Sequence, residues 1–167
     1  TVAMRYGMAP ETVARILASQ HTISPHRMAL STVNREGTSF TLIDDSFNAN
    51  PDSMKAGLNG LKAWNSNDGK EPFRVALLGA MLELGADETA LHTSIGTYAD
   101  ELGIDAIIAV GSAQDQHLDA LAQALADGAR QSQSASVDCV HDIDAAEQLV
   151  IDLARNHPDA VVLLKGS

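Results

Sequence analysis

Short apolar runs alternate with longer segments of mixed polarity over most of the chain. Three runs, RVALLGA, DAIIAVG and AVVLLKG, are rich in valine, isoleucine and leucine, and SVDCV is a weaker fourth. Segments of helical length lie around residues 52–64, 88–102, 113–127 and 142–156. This alternation is typical of a mostly parallel β-sheet covered by helices, so the pattern predicts an α/β fold.

The chain before the alternating region follows a different pattern. Two strand-like runs, RMALSTVN and SFTLIDD, are separated by Glu36 and Gly37, which predicts a β-hairpin with a tight turn. The earlier segment PETVARILAS has helical spacing behind a proline suited to a first helical turn, so we expect a short N-terminal helix. A domain boundary is expected near Pro25, with residues 26–167 forming one domain.

Composition supports one domain with a real core. The chain has 167 residues, of which 45% are hydrophobic, enough to bury a single core. It begins at Thr1 without a methionine and stops directly after an apolar run, so we expect it to be cut from a longer protein. The small polar stretch ADGARQSQSAS, residues 126–136, is expected to be a surface loop, and Cys139 a buried small hydrophobic residue.

The charge balance excludes some classes of partner. A net charge of -11 and a pI near 4.7 argue against nucleic acid as the main partner, because binding to phosphates needs clustered lysine and arginine. No apolar run approaches the length of about 18 residues that a membrane span needs, and no secretory signal is present. We therefore expect a cytoplasmic protein that does not insert into membranes.

Candidate chemistry lies where the strands end, because ligands of open α/β sheets bind at the carboxyl ends of the strands. These positions are Asp44, Asp45, Gly79, Gly111 and Lys165. The histidines lack the spacing of a zinc site, so no metal site is expected in this chain. No P-loop and no G-x-G-x-x-G motif occur, so the chain should not hold a triphosphate unaided.

The segment IDDSFNANPDSM is the richest of these strand ends. Asn50 is suited to cap a helix that begins at Pro51, so part of the segment is explained by capping. Capping does not explain why Asp44, Asp45 and Asn48 lie on the same turn. The residues therefore favour a ligand-binding turn over a purely structural one, and both interpretations stay open at this point.

Three segments resemble the Mur ligase family, in particular its D-alanyl-D-alanine-adding members. DDSFNANPDSM resembles the family's DDxYNANPDSM, RVALLGAMLELG is similar to its LGDMxELG, and VVLLKGS is similar to its closing VLVKGS. His92 also falls where the family has a histidine. The resemblance runs from about residue 26 to the last residue, and residues 1–20 resemble the end of the family's ATPase domain.

The resemblance implies the third, C-terminal domain of a three-domain enzyme, with a Rossmann-like sheet and helices on both faces. Residues 1–25 would be the end of the central ATPase domain and a linker. The family uses ATP to phosphorylate the terminal carboxylate of UDP-MurNAc-tripeptide, and the amine of D-alanyl-D-alanine then attacks the acyl phosphate. ATP and Mg²⁺ would be held mainly by the central domain, so the resemblance implies that this chain alone is inactive. It also implies a monomer in which the N-terminal and central domains are partners.

Site residues carry over from the matching motifs. Arg27 matches an arginine that would approach the nucleotide phosphates and act in catalysis. Asp45 matches the residue that binds the ribose hydroxyls, and Asn48 and Asn50 would lie beside the nucleotide.

A second set of positions is implied for the incoming dipeptide or ATP, namely the loop after Gly79, with Ala80, and His92 nearby. Three positions depart from the family. His26 stands where the family has glycine, Phe47 where it has tyrosine, and Ala80 where it has aspartate. Phe47 keeps the ring, whereas Ala80 removes a carboxylate at the end of a strand.

Two other classes of protein compete with this interpretation. A signalling receiver domain also has an acidic pair after an early strand and a lysine after the last, which Asp44, Asp45 and Lys165 would supply. It needs a phosphorylatable aspartate after a middle strand, where this chain has glycine followed by alanine or serine. A structural α/β module that only docks on a partner predicts no affinity for a nucleotide.

Overall fold

A computed structural model of the protein describes residues 26–66, 69–132 and 135–167. The strands are β1 (Ala29–Arg35), β2 (Thr38–Asp44), β3 (Arg74–Leu78), β4 (Ala106–Val110), β5 (Ser136–Val140) and β6 (Val161–Lys165). The helices are α1 (Pro51–Ala63), α2 (Glu88–Glu101), α3 (Gln116–Ala129) and α4 (Ile143–Asn156), with a 3₁₀ turn at Gly85–Asp87. The predicted N-terminal helix and the boundary near Pro25 lie outside the described residues.

The strands form one six-stranded sheet in the order β1-β2-β6-β3-β4-β5. All neighbouring pairs are parallel except β1 and β2, which are antiparallel. Glu36 and Gly37 join that pair with φ angles of +47° and +78°. Two left-handed residues are typical of a type I′ turn, whose twist matches the twist of the two strands. The predicted hairpin is confirmed.

The order of the strands explains which face each helix covers. The connections through α1, α2 and α3 all run in one direction across the sheet, whereas α4 leads from the edge strand β5 back to β6. Crossovers between parallel strands are right-handed, so the reversed connection must lie on the opposite face. Accordingly, α1 to α3 pack against one hydrophobic cluster and α4 packs against a second. The predicted α/β fold with helices on both faces is confirmed.

The stretch 126–136 is not entirely a loop, because α3 continues to Ala129. A Cβ atom at Gly128 would lie 2.1 Å from the carbonyl oxygen of Thr93, and one at Gly96 would lie 1.9 Å from that of Leu125. The backbones of α2 and α3 therefore touch where they cross, which only glycine allows. The loop prediction was wrong for these first four residues because small side chains serve helix contacts as well as loops.

Arg74 is a buried cation at the start of β3, on the edge of the sheet opposite to the strand ends considered above. It is 4% exposed and donates hydrogen bonds to the carbonyl oxygens of Leu61 at 3.3 Å and Trp64 at 3.0 Å. The last carbonyl groups of a helix have no partners within the helix. Arg74 therefore fastens the end of α1 to the sheet.

Cys139, in β5, is half-buried and packs at the margin of the core. Burial raises the pKa of its thiol above the ordinary value, which keeps the side chain protonated and unreactive.

In the three described ranges, no helix combines the length and the apolar character needed to cross a bilayer.

Candidate functional site

The carboxyl ends of the five parallel strands meet at one edge of the sheet. The residues that follow the strands continue the backbone ladder there. Asp45 N donates to Leu164 O at 2.9 Å, and Gly79 N donates to Lys165 O at 2.8 Å. β6 lies between β2 and β3, and α4, which leads to β6, covers the opposite face from α1, which joins β2 to β3. This edge therefore contains the switch point at which α/β sheets bind ligands.

A buried ion pair lies at the end of β6. Lys165 is 1% exposed, and its Nζ lies 2.6 Å from Asp45 Oδ2. The same ammonium group donates to the carbonyl oxygens of Asn48 at 3.2 Å and Asp45 at 3.4 Å. The other carboxylate oxygen of Asp45 accepts from the backbone N–H of Met28 at 3.2 Å. Asp45 is thus held on both oxygens, and its partner Lys165 is 120 residues away in the chain.

The neighbouring Asp44 anchors the start of the described chain. Its carboxylate accepts hydrogen bonds from both the backbone N–H and the hydroxyl of Ser46, at 3.1 and 2.6 Å, and lies 2.6 Å from His26 Nδ1. Burial acts to raise the pKa of Asp44, but the hydrogen bonds from Ser46 and His26 outweigh it and lower this pKa below its ordinary value. Asp44 is therefore a structural carboxylate.

The backbone conformation of His26 explains why the resembled family has glycine at this position. Its φ angle is +59°, in the left-handed region that favours glycine, which is the residue that the family has there. A side chain in this region costs roughly 1 kcal/mol, and histidine occurs there more often than most residues. The contact with Asp44 offsets part of that cost.

The last residue of the chain packs onto the turn after β2. Ser167 Oγ accepts from the backbone N–H of Ala49 at 2.9 Å and donates to Asn48 Oδ1 at 3.2 Å. The backbone N–H of Ser167 donates to the carbonyl oxygen of Ala80 at 3.0 Å. Ser167 therefore links the turn to the loop after β3.

Asn50 caps α1, as predicted. Its side-chain oxygen accepts from the backbone N–H of Ser53 at 2.9 Å, and Ser53 Oγ accepts in return from the backbone N–H of Asn50 at 3.0 Å. This reciprocal capping box fixes the helix start. Capping accounts for Asn50, whereas Asp45 and Asn48 play no part in it.

A cavity of about 220 Å³, which we term the polar cavity, opens at this turn. Arg27 lies at its edge, with its guanidinium carbon 4.2 Å from the centroid of the Phe47 ring, which is 52% exposed. The cavity brings together the four residues that were predicted to lie near a nucleotide, and three that were not. Its lining consists of Arg27, Asp45, Phe47, Asn48, Asn50, Ser53 and Lys165.

A second cavity of about 260 Å³ lies at the ends of β3, β4 and β6, and we term it the apolar cavity. Ala80 lines it and is 8% exposed. A Cβ atom at Gly166 would lie 2.9 Å from Gly79 Cα. The segments that follow β3 and β6 can therefore approach each other this closely only because residue 166 has no side chain. The cavity is lined by Ser46, Gly79, Ala80, Leu82, Val110, Gly111, Leu118, Ile143, Leu164, Lys165, Gly166 and Ser167.

His92 lines neither cavity, because it is fully buried behind the loop after β3. Its Nε2 accepts from the backbone N–H of Met81 at 2.9 Å, so the proton is on Nδ1, which donates to the carbonyl oxygen of Glu88 at 2.7 Å. Burial lowers the pKa of His92 and keeps the ring neutral. The ring therefore lies beside the loop after β3 and supports it from inside.

The described ranges contain no group of three or more histidine, cysteine, aspartate or glutamate side chains placed to hold a metal ion. The charged groups of the polar cavity are one arginine, one carboxylate and one lysine. Such a set can bind sugar hydroxyls and phosphate oxygens through charge-assisted hydrogen bonds. Of the residues that the sequence did not assign to the nucleotide, Phe47 is part of the predicted turn, and Lys165 ends the last strand and was among the candidate strand ends, so both had a signal.

Comparisons with known proteins identify the family to which the chain belongs. Residues 26–167 match the family "Mur ligase, glutamate ligase domain". The chain is 37% identical over 172 residues to UDP-N-acetylmuramoyl-tripeptide–D-alanyl-D-alanine ligase of Mycobacterium tuberculosis, covering 99% of this chain and 33% of that protein. It is 40% identical over 70 residues to the protein of the same name from Escherichia coli, covering 42% of this chain and 14% of that protein.

A solved structure of MurF from Acinetobacter baumannii superposes on 99% of this chain and 32% of its own, with a TM-score of 0.71 and 26% identity. The chain thus spans about a third of the length of the relatives that it matches over nearly its whole sequence.

Proposed function

Because the chain belongs to the Mur ligase family, we propose that it is the C-terminal domain of an ATP-dependent ligase of peptidoglycan synthesis. The whole enzyme would join D-alanyl-D-alanine to UDP-MurNAc-tripeptide, which is the reaction in the names of the relatives. Residues 1–25 would be the end of the preceding ATPase domain and a linker. The enzyme would be a cytoplasmic monomer in which three domains of one chain surround the substrates.

The polar cavity is the observation that carries this proposal. It places the carboxylate of Asp45 and the guanidinium of Arg27 at the carboxyl end of β2. Asp45 would accept hydrogen bonds from the two ribose hydroxyls of ATP, and Arg27 would contact the phosphates through its planar fork. Asn48 and Asn50 would lie beside the nucleotide, and the exposed ring of Phe47 offers a stacking surface for the base.

The apolar cavity would receive the dipeptide. Its wall contains Ala80, Leu82 and Leu118, against which the small methyl groups of D-alanyl-D-alanine could pack. Ala80 stands where the family has a carboxylate, so contact at this position would be apolar. His92 would act indirectly, by holding the backbone of Met81 in the loop that forms this wall.

The chemistry follows from positioning. The terminal carboxylate of the tripeptide attacks the γ-phosphorus of ATP, which gives an acyl phosphate and ADP. The amine of the dipeptide then attacks the acyl carbon, phosphate leaves, and an amide bond forms. This domain would close over ATP and bring the amine into line, an effect of orientation and charge stabilisation. Mg²⁺ would be held by the central domain, and this chain alone would be inactive.

The two competing classes lose support for different reasons. A receiver domain would need an aspartate at the end of β3 or β4, where Gly79 and Gly111 are followed by alanine and serine. A structural module would leave the polar cavity without a ligand.

The Asp45→Ala variant of the whole enzyme tests the proposal. Loss of charge-assisted hydrogen bonds to ribose, worth roughly 1.5–3 kcal/mol, should raise the KM for ATP by at least about tenfold. The KM for D-alanyl-D-alanine should change little. Steady-state kinetics with each substrate varied in turn would measure both values, and Asp152→Ala, which alters an exposed carboxylate on α4, is the control. An unchanged KM for ATP in a folded Asp45→Ala enzyme would contradict the proposed nucleotide site.

A further inference from the structure

Lys165 is a buried cation with a complete set of partners beneath the polar cavity. Its ammonium group has three hydrogens to donate, and three oxygen atoms lie within reach: Asp45 Oδ2 at 2.6 Å, Asn48 O at 3.2 Å and Asp45 O at 3.4 Å. Lysine is almost never fully buried unless it is paired, and this one is 1% exposed. Every oxygen that it contacts belongs to the turn that lines the polar cavity.

The contact with Lys165 leaves the Asp45 carboxylate with one orientation. Oδ2 receives Lys165 Nζ, and Oδ1 receives the backbone N–H of Met28 at 3.2 Å. An ionised carboxylate oxygen can accept two hydrogen bonds, so each oxygen keeps one acceptor position for a ligand. Met28 and Lys165 thus occupy one acceptor position on each oxygen, and the carboxylate still lines the polar cavity.

Helix α1 is shaped to admit the lysine. Gly57 lies in the middle of this helix, and a Cβ atom there would come within 2.9 Å of Lys165 Cδ and 3.4 Å of Leu163 Cδ2. A glycine inside a helix costs about 1 kcal/mol relative to alanine. The aliphatic stem of Lys165 occupies the space that the missing side chain leaves. The groove in α1 and the ion pair are thus two separate signs of a position built around this lysine.

We propose that Lys165 is a positioning residue for the nucleotide, which holds the Asp45 carboxylate in the orientation that receives the two ribose hydroxyls. Through this contact it selects a ribonucleotide over a nucleotide without those hydroxyls. Without the ammonium group, a partly buried carboxylate would lose its compensating charge and turn toward water. This inference rests on the proposed function, in which Asp45 binds ribose.

The test compares ATP with 2′,3′-dideoxy-ATP as substrates of the whole enzyme. The ratio of kcat/KM for the two nucleotides measures the contribution of the ribose hydroxyls. Lys165→Met replaces the ammonium by an apolar group of similar length, and we expect it to reduce this ratio by about tenfold, mainly through the KM for ATP. The control is Lys62→Met, which removes an exposed lysine whose Nζ lies 3.4 Å from Gly103 O, and it should leave the ratio unchanged.

Gly57→Ala is a second variant that displaces Lys165 without removing its charge. Alanine favours the helix, so any change in the ratio would come from the displaced stem and not from a weaker helix. The ratio should fall in the same direction as in Lys165→Met, by a smaller factor. If Lys165→Met does not fold, Gly57→Ala takes its place as the test of the positioning role of Lys165.

The Asp45→Ala variant distinguishes a failure of the proposed ribose site from a failure of the positioning role of Lys165. If it removes the preference for ATP while folded Lys165→Met, or Gly57→Ala in its place, keeps the preference, the proposed function stands and the role of Lys165 is overturned. If Asp45→Ala itself keeps the preference, Asp45 does not read the ribose, and the ribose assignment fails together with this inference.

Discussion

The polar and the apolar cavity open at the same edge of the sheet and share Lys165, yet the chain builds them in opposite ways. Five of the seven residues of the polar cavity lie within positions 45–53, on one turn and the first helical turn after it. The apolar cavity takes its walls from the ends of β3, β4 and β6 and from the starts of α3 and α4. One is a local motif, and the other is a product of topology.

The difference matters for recognition. The polar cavity presents a carboxylate, a guanidinium and amides, groups that recognise a ligand by hydrogen bonds of fixed direction. The apolar cavity presents mainly methyl and methylene groups, which recognise a ligand by shape and by the exclusion of water. Substitutions in the two cavities should therefore affect different substrates, and by different amounts.

Arg27→Lys should give the largest effect. Lysine keeps the charge but cannot form the planar two-pronged contact with phosphate, and it also loses the stacking on Phe47. In the whole enzyme we expect kcat to fall by at least about tenfold, which is roughly 1.4 kcal/mol of transition-state stabilisation. Kinetics with ATP and D-alanyl-D-alanine varied separately would measure it. The control is Arg35→Lys, at an exposed arginine whose Nε lies 3.3 Å from Glu147 Oε1. An equal kcat in the two variants would contradict a role of Arg27 in phosphate binding.

Leu82→Ala should have a moderate effect confined to the other substrate. Leu82 is 48% exposed and lines the apolar cavity, so its truncation removes only part of an apolar contact. The KM for D-alanyl-D-alanine should rise several-fold, corresponding to roughly 0.5–1.5 kcal/mol, while the KM for ATP stays constant. Leu30→Ala, at a leucine that is 57% exposed outside both cavities, is the matched control. If both KM values rose together, the separation of the two cavities would fail.

His92→Gln should have the smallest effect on the kinetics and should act instead on the pH dependence of stability. Burial lowers the pKa of His92 in the folded chain, so below its ordinary value of 6.5 the unfolded chain binds more protons. Stability must then fall as the pH decreases below about 6.5. Glutamine can still accept from Met81 N–H but does not titrate, so this decrease should be shallower by up to about 1.4 kcal/mol per pH unit.

Urea unfolding of the wild-type chain and of His92→Gln at several values between pH 5 and 8 would measure the difference in slope. Parallel curves for the two proteins would mean that His92 is not held neutral behind the loop.

Local patterns were enough to predict the elements and the polar turn. The hairpin was predicted from Glu36 and Gly37, and the start of α1 from Asn50 and Pro51, because turns and caps are stabilised by residues two or three positions apart. The same short range explains why Asp45 and Asn48 could be assigned to one site. Their proximity follows from the chain itself, whatever the rest of the sheet does.

Sequence patterns failed where a residue's role depends on a distant segment. Gly128 was assigned to a loop, but it lies in α3, where it must be glycine because the carbonyl group of Thr93 on α2 occupies the place of a side chain. His92 was placed beside a substrate, yet its ring is buried, since the loop after β3 folds over it. Neither outcome has a signal in the neighbouring sequence.

The sequence by itself determined the order and type of the described elements, the candidate positions at the carboxyl ends of the strands, and the turn that carries Asp45. These depend on polarity, on glycine and proline, and on contacts over a few residues. Only the tertiary structure decided that Lys165 reaches Asp45 across 120 positions, that Ser167 joins the turn to Ala80, and that a second cavity exists. The physical reason is the reversed crossover through α4, which inserts β6 between β2 and β3 and so brings Lys165 and Ser167 beside the turn after β2.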